Sequence, residues 1–105
     1  MAAPEASRRP AWRRTGVHRF PAVAEVDGDW WVLRMNSFPD HPLWTLFVRG
    51  VARFDLNDLP EPWGRPLTAA PMPAELAEAV LAPVRSFVAY GSEVGQPCDD
   101  PFCCG

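Results

Sequence analysis

The chain has 105 residues, 48% of them apolar, with five Trp, six Phe, 13 Pro, three Cys and a formal net charge of −3. That apolar and aromatic content is too high for a disordered chain, and seven glycines cannot supply the every-third-residue pattern of collagen. There is no apolar run of the roughly 18 residues that a membrane-spanning helix needs, so the length suits one soluble domain with a modest core.

All ten basic residues are Arg and none is Lys. Exposed Arg and Lys are mostly exchangeable on a protein surface, so this bias reads as codon usage in a GC-rich genome, that of a high-GC bacterium. Charge is uneven along the chain. Residues 1–20 hold Arg8, Arg9, Arg13, Arg14 and Arg19 against Glu5, whereas residues 21–105 hold five Arg against twelve acids. An acidic body favours a basic protein partner and repels nucleic acid and anionic membrane. The N-terminal arginines precede no apolar stretch of the kind a secretory signal requires, and Pro4, Pro10 and Trp12 interrupt the region. The expected compartment is therefore the cytoplasm, where thiols stay reduced.

In chain order, residues 1–15 (MAAPEASRRPAWRRT) lack apolar periodicity and read as a disordered basic arm. The single domain is expected over 16–91. FPAVAEV (20–26) is the first strand, with Pro21 at its start or on an edge. Asp27-Gly28 is a two-residue hairpin turn leading into DWWVLRM (29–35), which is aromatic and β-branched. NSFPDHP (36–42) is a loop stiffened by two prolines. LWTLFV (43–48) and VARFDL (51–56) form a second hairpin about Arg49-Gly50. A two-residue turn there predicts one core face of Leu43, Thr45, Phe47, Ala52, Phe54 and Leu56. Residues 57–73, rich in Pro and carrying Trp63, read as an ordered crossover. AELAEAVLAPVRSFVAY (74–90) is the helix, with Leu76, Val80, Val84 and Val88 as its apolar stripe and a kink or break at Pro83. Residues 92–105 form a flexible cysteine-containing tail. The predicted fold is α+β: a three- to four-stranded antiparallel meander with one C-terminal helix packed on it.

Three constellations bear on chemistry. Cys98, Cys103 and Cys104 lie in the last eight residues, beside Asp99 and Asp100. They suit a soft metal, thiol exchange or a modified peptide. Yet the C-x4-C-C spacing departs from zinc-site patterns, and no remote cysteine completes a set. Asp40 and His41 place a carboxylate next to an imidazole, half of a general-base arrangement, without a nucleophile motif to serve. A solvated tail and an ordered surface turn account for these two features more simply. The acids Asp55 and Asp58 lack the alternation of a calcium loop. Trp30 and Trp31 are neighbours in one strand and must point to opposite sides of the sheet. A small sheet with one helix has one well-covered face, so Trp30 and Trp44 are candidates for an exposed hot spot near Asp27, Asp29 and Asp40.

The stretch Glu25 to Val48, EVDGDWWVLRMNSFPDHPLWTLFV, resembles small acidic immunity proteins of bacterial polymorphic-toxin systems. In some of these an acidic D-G-D-W turn precedes a strand, a proline-bearing loop and a tryptophan strand. The resemblance implies a compact acidic protein that blocks a basic toxin by binding it. The functional expectation is thus a non-catalytic protein-binding domain using Asp27, Asp29, Trp30, Asp40, His41 and Trp44. No cofactor is implied, the partner is a basic protein, and neither membrane nor nucleic acid is expected. Two alternatives stand beside it: a thiol or metal function of the cysteine cluster, and a small enzyme built on Asp40 and His41.

Overall fold

A computed structural model of the chain describes residues 4–36 and 42–87. It is α+β, built on one antiparallel sheet of five strands: β1 (Arg13–Arg14), β2 (Ala22–Val26), β3 (Asp29–Met35), β4 (Trp44–Val48) and β5 (Val51–Leu56). Spatial order follows chain order, so the sheet is a meander. A single α-helix, α1 (Ala74–Leu81), follows the crossover.

The two tight turns fix the register. Asp27 and Gly28 both have positive φ, as do Arg49 and Gly50. This is the paired conformation that matches the twist of a two-residue hairpin. Val26 consequently pairs with Asp29, and Val48 with Val51. Trp30 and Trp31 then fall on opposite faces, Trp31 inside one apolar cluster and Trp30 against the other.

Four expectations need correction. Residues 4–15 are not a disordered arm. Pro4–Ser7 is a 3-10 turn, Arg13–Arg14 pairs with Val23 and Ala22, and Trp12 is buried. This segment supplies the fifth strand and covers one face of the sheet. Periodicity missed it because one aromatic and a two-residue strand are too short to show a period.

The predicted face on the second hairpin holds only next to the turn. Phe47 pairs with Ala52, but Leu46 pairs with Phe54 and Thr45 with Asp55, because a bulge leaves Arg53 without a partner in the ladder. An extra residue flips everything beyond it. Phe54 and Leu56 therefore join Trp44 and Leu46, while Phe47 and Ala52 face the helix side.

The helix ends at Leu81 and continues as a 3-10 turn over Ala82–Val84. Pro83 has no N–H to offer the carbonyl of residue 79, so the α-helical ladder stops there. Its buried stripe is Ala77, Val80, Leu81 and Val84, with Leu76 turned to solvent.

The sheet is therefore covered on both sides. Phe20, Val23, Val32 and Phe47 pack under Met72, Ala77, Val80, Leu81 and Val84. On the other face Trp12, Trp31 and Trp63 form a seam, with ring centroids 5.4 Å apart for Trp12–Trp63 and 6.1 Å for Trp31–Trp63. Trp44 lies in the same cluster, 4% exposed. Its expected place on an exposed surface is the fourth correction: the indole points into the face that the N-terminal segment and Trp63 cover. An indole buries roughly 200 Å², worth about 5 kcal/mol at ~25 cal/mol per Å². This seam therefore outweighs any turn or cap of about 1 kcal/mol.

Candidate protein-binding groove at the hairpin tips

Both type-I′ turns lie at the same end of the sheet. The Arg49 backbone N–H donates to the Trp30 carbonyl at 3.1 Å, which ties the second tip to β3. At that end the helix and its 3-10 extension run close over the tips. A Cβ added to Gly50 would stand 3.1 Å from the Pro83 Cβ. An open groove of about 350 Å³ lies between, with Trp30 and Val32 on the sheet side and Leu76, Ala79 and Pro83 on the helix side. Asp29 and Arg49 stand on its rim, the Asp29 carboxylate 3.7 Å from Arg49 Nε. Leu76 is 38% exposed and lines this groove, with Ala79 exposed beside it. An open leucine at the wall of a concave apolar surface is a contact feature rather than a scattered surface side chain.

Of the residues expected from sequence to form a binding face, the structure brings together Asp27, Asp29 and Trp30. Asp27 is not a free charge, because its carboxylate receives Arg8 at 2.7 Å. Trp44 is in the core, as described above. Asp40 and His41 lie outside the described residues, as do Cys98, Cys103 and Cys104. Among the described residues no group of three or more His, Cys, Asp or Glu is placed to hold a metal ion.

Arg49 and Leu76 escaped the sequence reading. Arg49 was visible only as a turn residue, and Leu76 as part of the apolar stripe. A second omission is a polar centre beneath the helix side of the sheet. Arg34 is fully buried and donates from Nε to Asn36 Oδ1 at 2.7 Å, and from its terminal nitrogens to Thr45 Oγ1 and the Phe87 carbonyl. Thr45 in turn donates to Asp55 Oδ1 at 2.6 Å. A signal for it exists: strand alternation puts Arg34 on the face of Trp30 and Val32. Its guanidinium also lies 5.1 Å from the Phe47 ring centroid. The arrangement ties β3, β4, β5 and the chain after the helix together, and does not open onto the groove.

A third centre anchors the N-terminal segment. Glu5 accepts from Arg53 Nε at 2.6 Å, and its main-chain carbonyl accepts from Trp63 Nε1 at 2.8 Å. The Arg53 hydrogen bond holds the Glu5 carboxyl below its ordinary range, and the same contact raises Arg53. No protein-family model, curated protein or solved structure matches the chain.

Proposed function

We propose that this chain is a small non-catalytic protein-binding domain that engages its partner through the groove at the hairpin tips. The observation that carries the reading is the grouping of Trp30, Leu76 and Ala79 around one concave, largely apolar surface that Asp29 and Arg49 also line. An aromatic beside a groove, framed by charged groups, is the usual make-up of an interface centre.

Its sharpest form is inhibition of a basic toxin. That form rests on the resemblance of residues 25–48 to immunity proteins, together with the carboxylates of Glu75 and Glu78 on the exposed side of α1. Among the described residues no helix is long and apolar enough to cross a membrane.

The test is a chemical cross-linking capture from the source cells using three proteins. These are the wild type, a Leu76→Glu/Ala79→Glu variant, and a Leu67→Glu control that alters an exposed apolar residue away from the groove. A basic protein held by wild type and control but lost by the double variant is the expected result. Equal capture by all three, or capture of no protein by the wild type, overturns the reading.

A further inference from the structure

At the β1 edge of the sheet, away from the hairpin tips, the segments that meet concentrate positive charge and carry no acid of their own. Residues 10–24 carry Arg13, Arg14, His18 and Arg19 and no carboxylate. The segment that packs beside β1, residues 62–74, adds Arg65 and again no carboxylate. Elsewhere the pattern differs: Arg8, Arg49, Arg53 and Arg85 each have an acidic partner within 4.0 Å.

The three arginines of the 10–24 segment are held by main-chain oxygens instead. Arg13 donates to the Pro71 carbonyl at 3.2 Å, Arg14 Nε to Ala69 at 2.6 Å and Arg19 to Met35 at 3.1 Å. A guanidinium has five N–H donors, so one carbonyl contact orients each head and leaves others to meet an anion. Orientation before binding reduces the side-chain ordering cost that a flexible arm would bear. Between these groups lies a shallow cleft of about 310 Å³, lined by Arg14, Gly16, Val17, His18, Pro21 and Met35.

We propose that this cationic edge of the sheet binds the backbone of single-stranded nucleic acid, with an unstacked base seated in the cleft. The charge complementarity is direct, and the partner follows from the geometry. A single strand alternates phosphates with flat apolar rings, and the surface alternates oriented guanidiniums with an apolar cleft flanked by an imidazole that can stack. The helix Ala74–Leu81 carries Glu75 and Glu78 and no basic residue, so it is not suited to enter a duplex groove. The acidic balance of residues 21–105 argues against nucleic acid for the body as a whole, but Arg13 and Arg14 are part of the sheet and give its β1 edge a local charge of the opposite sign. This proposal is independent of the tip groove, since the two surfaces occupy opposite ends of β2 and β3.

Fluorescence anisotropy tests it with labelled single-stranded RNA and DNA oligomers of about 12 nucleotides, within the usual span of such sites. The same sequence as a duplex and a poly-glutamate peptide of equal charge serve as the competing ligands. Single strands are expected to bind at low salt, with log affinity falling against log salt by roughly 0.7 per phosphate contacted. An Arg14→Gln/Arg65→Gln variant should lower that slope by about 1.4 and weaken binding by roughly tenfold or more. The Arg8→Gln/Arg85→Gln variant, with the same loss of charge at other sites, should bind nearly as wild type. Arg65→Glu alone is the safeguard against misfolding, because its side chain makes no hydrogen bond or ion pair among the described residues. No binding of single strands, equal loss in the control variant, or binding of duplex or poly-glutamate as tight as that of single strands overturns the proposal.

Discussion

Glu5 shows how one residue can decide whether a terminal segment belongs to a fold. Its carboxylate meets Arg53 at 2.6 Å, and its carbonyl receives the Trp63 indole. The chain is thereby pinned at a point far in sequence from both partners. The charged form is favoured in the folded state, because the Arg53 hydrogen bond depresses the Glu5 pKa. Its stabilising contribution is therefore complete above the unfolded value of about 4.3 and is lost as pH falls through the lower folded value. Glu5→Gln should lower the thermal midpoint at pH 7 while converging with wild type toward pH 3, as thermal melts across that range would record. A wild-type difference that persists unchanged into acid would mean the ion pair is not the source. Nothing in the sequence marks Glu5 for this part. It is one acid among five arginines in a stretch without periodicity, and its partners lie 48 and 58 residues away.

At the level of elements, the legible parts were those encoded locally. Asp27-Gly28 and Arg49-Gly50 specify their turns through residues that tolerate positive φ, and β2 to β5 follow from the strand patterns around them. The helix start was legible as well, and so was the break at Pro83. What depended on distant contacts was not. Arg53, the residue the bulge leaves out of the ladder, is met by Glu5 from 48 residues away, and the two-residue β1 is held on one side by β2 and on the other by Ala70 and Met72 bonding to Arg14. The groove was half legible: Asp29 and Trp30 were read, whereas Arg49 and Leu76 needed the tips and helix to be seen together. The two turns differ in one respect that can be measured. Gly28 has φ +85° with open space around its missing Cβ, whereas Gly50 at φ +78° faces the Pro83 Cβ at 3.1 Å. An Ala at either position bears the left-handed penalty of about 1–2 kcal/mol. Gly50→Ala must in addition push the helix extension away from the tip. Chemical denaturation should therefore rank Gly50→Ala below Gly28→Ala in stability. Equal losses would show that the tip and Pro83 do not press on one another.

On the scale of the whole molecule, the sheet is a central layer with two unlike covers. One is the helix with Met72, and the other is the N-terminal segment with Trp63. All ten arginines lie within the described residues, together with nine of the thirteen carboxylates; Asp40, Glu93, Asp99 and Asp100 lie outside. The part that folds around the sheet is thus close to neutral, and its charges are segregated by position. A sheet with one bare apolar face would not stay monomeric, so the N-terminal segment is as necessary to the domain as the helix. Trp12 is the residue that tests this. It is 7% exposed and in ring contact with Trp31 and Trp63, and its Nε1 is buried with no hydrogen-bond partner among the described residues. Trp12→Ala should cost about 3–5 kcal/mol, a large share of a typical 5–15 kcal/mol total. Trp12→Phe should cost much less, because it keeps most of the ring and removes the unpaired donor. Deleting residues 1–14 should bare Trp31 and Trp63 and make the protein aggregate relative to the full chain, as size-exclusion chromatography and dye binding would record. A deletion variant that stays monomeric with an unchanged midpoint would return the segment to the status of a dispensable arm, and the cationic edge of the sheet would lose its scaffold with it.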